Sequence, residues 1–257
     1  GYEKKTYQRI LNDVRQVTRA LGEARDLDVQ LEALEYEILK YSSPRLAPGL
    51  KRLQLRMINA RSRAQTHVIQ AMNRMESDSV LEEIEAWTAP LLAQASSVYL
   101  YSPELYTLAF NSIREETDEF LRHEDLIHDP ANVSELHEMR IGAKHLRYTL
   151  EIFEELYGSR IKPYIEEMKN IQDQLGNIHD LDVWIEMIPQ FVRDERKRIL
   201  AYFEHERPLK RLLPGLEAFK ADKIADRQAQ YDSFIENWEQ FSSAGTLQKI
   251  LKLVSAP

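Results

Sequence analysis

The sequence predicts an all-α protein, and three observations carry that expectation. Glycine occurs only eight times in 257 residues while Leu, Glu, Ala, Arg and Gln are abundant, a composition that favours helix over sheet. Apolar residues recur at the three-and-four spacing of a helix, and no segment alternates convincingly as a strand. Breaks rich in Pro, Gly and Ser lie far apart, at Ser42–Pro48, Ser77–Ser79, Asp129-Pro130 and Pro208–Pro214, which leaves long helices between them.

Taken in order, an amphipathic helix runs from Tyr7 to Leu21. Gly22 then stands where a left-handed C-terminal cap is wanted, and Asp26 where the next helix needs an N-cap, so Leu21–Val29 is expected to be a turn between two helices. Pro48-Gly49-Leu50 opens the following long segment. Leu136 to Phe153 reads as one helix with Leu136, Met139, Ala143, Leu146, Leu150 and Phe153 in a single apolar stripe. A further amphipathic helix from Tyr164 leads to Leu175, where Gly176 and Asp180 repeat the cap-and-cap pattern. Pro214-Gly215-Leu216 opens the last long segment.

Self-similarity organises these elements. Leu21-Gly-Glu-Ala-Arg-Asp-Leu-Asp-Val29 recurs 154 residues later as Leu175-Gly-Asn-Ile-His-Asp-Leu-Asp-Val183, identical at six of nine positions. The two Pro-Gly-Leu openings recur as well, offset by 166 because of an insertion. A tandem duplication into two helical repeats, 1–125 and 126–257, within one domain accounts for this. Projecting the 136–153 helix back by 154 residues lands before Gly1, so the opening helix of the first repeat, ending near Tyr2, is expected to be missing from this chain.

The chemistry sits on the 136–153 helix. His137, Arg140, Lys144 and Arg147 form a second stripe about 100° round from the apolar one, and this row is free of acidic residues until Glu151. A basic row beside a buried row lines a groove, which points to an anion site. Arg holds two phosphate oxygens at once, Lys supplies a mobile point charge, and His donates a hydrogen bond. At 1.5 Å rise per residue the groups stand about 4.5 to 6 Å apart, a spacing that can follow a linear chain of phosphates.

Composition removes several other functions. With no cysteine, disulfides, thiol catalysis and thiolate metal sites are excluded together, and the chain fits a reducing cytoplasm. No apolar run is long enough to span a membrane. A net charge of -8 and the lack of any nucleic-acid-binding module argue against nucleic acid as the partner. The average hides a segregation: 38–75 carries Lys40, Arg45, Lys51, Arg52, Arg56, Arg61, Arg63 and Arg74 with no Asp or Glu, and 76–135 has fourteen acidic residues against Arg114 and Arg122.

His137-x-x-Arg140-x-x-x-Lys144-x-x-Arg147-Tyr148, together with the Leu21–Val29 segment, resembles the CHAD family, the conserved histidine α-helical domains. The resemblance implies two four-helix halves related by a pseudo-twofold axis, with a basic groove or pore that binds inorganic polyphosphate or another polyphosphorylated anion. It also implies a binding module rather than an enzyme, with no cofactor, of a kind that often accompanies a CYTH-type triphosphate-processing domain and sometimes stands alone. The family's basic positions map onto His137, Arg140, Lys144 and Arg147, onto Lys169, and in the first repeat onto Arg15 and Arg19. Arg15 aligns with Lys169, whereas the counterpart of Arg19 is Asp173.

Further candidates come from the charge pattern. Arg61 aligns with Arg227 across the insertion, beside Arg56 and Arg63, with a solvated surface as the competing role. Arg25 and His179 occupy equivalent positions beside Asp26 and Asp180 and reach either the groove or the Asp. Tyr148 offers its hydroxyl to phosphate or packs in the core. Two other functions compete. His128-Asp129 and His179-Asp180 each present the dipeptide of helical metal-dependent HD phosphohydrolases, yet the repeat replaces His179 by Arg25 and Asp129 precedes Pro130. An interaction scaffold for acidic protein partners is the other. No nucleophile, paired-carboxylate or phosphate-cradling glycine pattern supports catalysis.

Overall fold

In the computed structural model, which describes residues 4–94 and 101–255, every regular element is helical. In chain order these are α1 (Lys4–Lys40), α2 (Ala47–Ser77), α3 (Val80–Gln94), α4 (Pro103–Leu121), α5 (Val133–Ile152), α6 (Glu154–Tyr157), α7 (Lys162–Phe203), α8 (Leu213–Ser243) and α9 (Thr246–Val254). Short 3-10 turns sit at Glu124–Leu126, Gly158–Arg160 and Leu209–Arg211. The expected all-α class is borne out, and the breaks around 42–46, 78–79, 129–130 and 204–212 separate the helices as the sequence predicts.

Two expected turns are absent. Gly22 lies inside the 37 residues of α1 and Gly176 inside the 42 residues of α7, and neither has a positive φ. Asp26 and Asp180 therefore cap nothing. A glycine costs a helix interior about 0.5–1 kcal/mol relative to alanine, which is small against the burial of a long amphipathic face. Tertiary packing overrides the local stop signal.

The chain divides into two compact units, Gly1–Val98 with Phe191–Ala218, and Tyr99–Gln190 with Phe219–Pro257. The boundary between the units falls on the N-terminal side of α4, and α4 packs against α5. A Cβ on Gly142 of α5 would meet the Phe120 backbone of α4 at 2.8 Å.

In the first unit α1 lies along α2, and Ile10, Leu34, Leu50, Leu53 and Met57 are buried. Glu195, fully buried, accepts from Arg52 Nε (2.8 Å), Arg56 Nε (2.5 Å) and Arg198 Nη1 (3.0 Å). Burial works to raise the Glu195 carboxyl, and the hydrogen bonds from Arg56 and Arg52 outweigh it, holding it below the ordinary carboxylate value. The two Pro-Gly-Leu openings meet here: a Cβ on Gly49 would stand 2.2 Å from the Leu212 carbonyl oxygen, and one on Gly215 would stand 1.9 Å from that of Leu46.

In the second unit one continuous core joins α4, α5, α7, α8 and α9. It contains the expected stripe Leu136, Met139, Ala143, Leu146 and Leu150, with Phe153, the residue after α5, packed at its edge. Ile161, Met168 and Leu175 fill the same core at 0, 0 and 1 % exposure. Their counterparts 154 residues earlier, Tyr7, Val14 and Leu21, are 46, 38 and 49 % exposed on α1. Tyr2, where the expected opening helix would end, lies outside the described residues.

Candidate anion-binding site

The site is built where α5 meets the first part of α7. The buried stripe of α5 fixes the rotation of that helix, and this sets His137, Arg140, Lys144 and Arg147 along its edge, all half-buried. Three contacts show what faces them. His137 Nδ1 lies 3.1 Å from His179 Nδ1, Arg140 Nε lies 3.7 Å from where a Cβ on Gly176 would stand, and Arg147 Nε donates to Gln172 Oε1 at 2.8 Å. The helices therefore run antiparallel here, with 137, 140 and 147 against 179, 176 and 172. On α7 the row 169, 172, 176, 179 has the same i, i+3, i+7, i+10 spacing, and Lys169 stands one turn beyond Gln172.

Electrostatically the two ends differ. Arg147 is committed: its Nη1 donates to Glu151 Oε1 (2.5 Å) and its guanidinium lies 4.4 Å from the centre of the Tyr148 ring. Tyr148 is exposed, not a core residue, and its hydroxyl makes no hydrogen bond among the described residues. Arg140 is the opposite case, since its Nε is buried and without a hydrogen-bond partner. A buried donor left unpaired costs about 1–3 kcal/mol, and a charged one more. Lys144 and the exposed Lys169 have no ion pair or hydrogen bond among the described residues. This half of the row holds cationic donors that no described residue satisfies.

The imidazoles of His137 and His179 lie with centres 4.4 Å apart and planes tilted by 33°. Burial lowers the His179 pKa, and the nearby His137 and Arg140 lower it further, against the opposing pull of Asp180 and Asp182. Asp182 is itself held by Arg227, through Nε at 2.7 Å and Nη2 at 3.4 Å.

The remaining predicted residues fall elsewhere. Arg61 Nε donates to Asp28 Oδ1 at 2.7 Å, the counterpart of the Arg227–Asp182 pair. Both arginines are thus paired with the aspartate that ends the repeated Asp-Leu-Asp run. Arg15, Arg19 and Arg25 are exposed on α1, in the first unit. Asp129 accepts from Ala131 N at 2.9 Å and so closes a turn. Among the described residues no group of three or more His, Asp or Glu side chains is placed to hold a metal ion, and no helix is long and apolar enough to cross a membrane.

Sequence reasoning missed Gln172 and the pairing of the two histidines. The shared i, i+3, i+7, i+10 spacing of the two rows was the available signal. A family model, that of the CHAD domain, matches residues 2–189. The chain belongs to the CHAD-domain family. Among curated proteins none matches it. Within this CHAD domain, the α5 row lies inside the matched span, and so do Arg15, Arg19 and Lys169.

Proposed function

We propose that this CHAD domain binds inorganic polyphosphate, or a closely similar polyphosphorylated anion, along the α5–α7 row and performs no chemistry on it. The observation that carries the reading is the buried Arg140 Nε without a partner, flanked by the uncommitted Lys144 and by two imidazoles. A chain of phosphates supplies acceptors at the spacing of this row and needs no base-reading groups. Family membership supports the same class of ligand.

An acidic peptide would also be drawn to such a row, so the experiment must separate the two anions. Binding of defined-length polyphosphate and of polyglutamate of equal charge is measured by calorimetry over a range of salt concentrations. Polyphosphate is expected to bind more tightly, to gain affinity with chain length and to weaken steeply with salt. Equal affinity for the two polymers would sink the proposal in favour of a scaffold for acidic proteins. Release of orthophosphate during the same incubations would show that the domain is an enzyme.

A further inference from the structure

Two imidazoles with Nδ1 atoms 3.1 Å apart can share only one proton between those atoms. In the neutral pair one ring donates its Nδ1–H to the lone pair of the other. The donor ring then carries its remaining lone pair on Nε2, and the acceptor ring carries N–H there. On its two Nε2 atoms the neutral pair thus carries one donor and one lone pair, and the lone pair repels an anion. A single added proton, on the Nε2 of the donor ring, leaves the Nδ1 contact intact. It converts the pair into a cation with two Nε2–H donors joined by a charge-assisted hydrogen bond. A second proton would place two N–H groups against each other, so the pair holds at most one positive charge.

We propose that the His137–His179 pair couples anion binding to proton uptake, so that the site grips its polyphosphate more tightly as the pH falls from about 8 toward 5.5, the range in which imidazole titrates. The proposal rests on the reading of the α5–α7 row as a polyphosphate site. The groups facing the pair are Arg140 on α5, Asp180 and Asp182 on α7, and Arg227, which holds Asp182, on α8. Without an anion, partial burial and the Arg140 charge work against a proton on His179. A phosphate oxygen reverses that balance, because it neutralises Arg140 and pairs with the new charge. By linkage, the anion that prefers the protonated pair must draw a proton onto it.

The test uses the full chain and long-chain inorganic polyphosphate, whose internal groups stay ionised throughout this range. Affinity is measured from pH 5.5 to 8.0 at constant ionic strength, and binding heats are compared in buffers of different ionisation enthalpy. The expected result is a rise in affinity of up to about tenfold per pH unit through the transition, with uptake approaching one proton. His179→Gln, which keeps a side-chain donor, should lose most of the pH slope and show a larger affinity loss at pH 5.5 than at pH 8.0. His145, which faces Glu116 at 3.9 Å, stays in both proteins as a common background. Binding of equal strength across the range, or a slope kept in His179→Gln, overturns the proton coupling while leaving the site assignment standing. Absence of binding at every pH overturns both.

Discussion

Gly49 packs directly on the carbonyl of Leu212, and the contact is reciprocal, since Gly215 packs on the carbonyl of Leu46. These are the second residues of the two Pro-Gly-Leu openings, at the first turns of α2 and α8. A side chain at either position would drive backbone into backbone, which a rotamer change cannot relieve. Gly49→Ala and Gly215→Ala are each expected to cost about 2–3 kcal/mol, read from denaturant midpoints at constant m-value. A loss below about 0.5 kcal/mol in both would contradict the close approach.

Gly22 is the contrasting case. It sits inside α1 with helical φ, and a Cβ there meets nothing within 4 Å. Gly22→Ala should therefore raise stability by about 0.5–1 kcal/mol. Had the residue been a left-handed cap, alanine would destabilise. Thermal unfolding distinguishes the two by the sign of the shift alone.

The difference between these glycines shows how far the sequence is legible. The faces of α5 follow from its periodicity, because burial of one stripe fixes everything else on the helix, and the breaks at Ser42–Pro48 and Pro208–Pro214 follow from residues that cannot continue a helix. Gly22 and Gly176 mislead because a cap signal is local, whereas continuation of α1 and α7 is decided by packing. Arg61 and Arg140 look alike as sequence; only the fold shows that one meets Asp28 while the other meets a glycine. The His137–His179 contact depends on the antiparallel register of helices 42 residues apart, which no local pattern contains.

Glu195 ties α7 to α2 in the first unit. With its value depressed in the folded state, it stabilises the protein above the unfolded carboxylate pKa of about 4.3, and that contribution disappears as pH falls through the lower folded value. Glu195→Gln is expected to cost about 2–3 kcal/mol near neutrality. This is below the toll for breaking a fully buried pair, because Arg52 and Arg56 remain 36 and 32 % exposed. The gap between wild type and variant should narrow below about pH 4, which unfolding curves at stepped pH will reveal. A gap independent of pH would mean that the charge is not the stabilising element.

Leu21 and Leu175 occupy the same place in the repeated motif but different surroundings, at 49 and 1 % exposure. Leu175→Ala removes a side chain from the core shared with α5 and should cost about 2–5 kcal/mol. Leu21→Ala should cost less than about 1 kcal/mol. Similar losses at the two positions would show that the α1 face is covered in solution.

Arg140, Lys144 and Arg147 belong to one row but differ in their commitments, so their removal should differ in kind. Lys144→Ala deletes a cation with no partner among the described residues. It should leave thermal stability unchanged, weaken polyphosphate binding, and lower the slope of log affinity against log salt by about one charge. Arg140→Ala should weaken binding at least as much and should not destabilise the fold, because it also removes a buried donor that nothing satisfies. Arg147→Ala breaks the bonds to Gln172 and Glu151, so a fall in melting temperature is expected with it. If Lys144→Ala bound polyphosphate with wild-type affinity and salt slope, the anion would have to lie away from the α5 row.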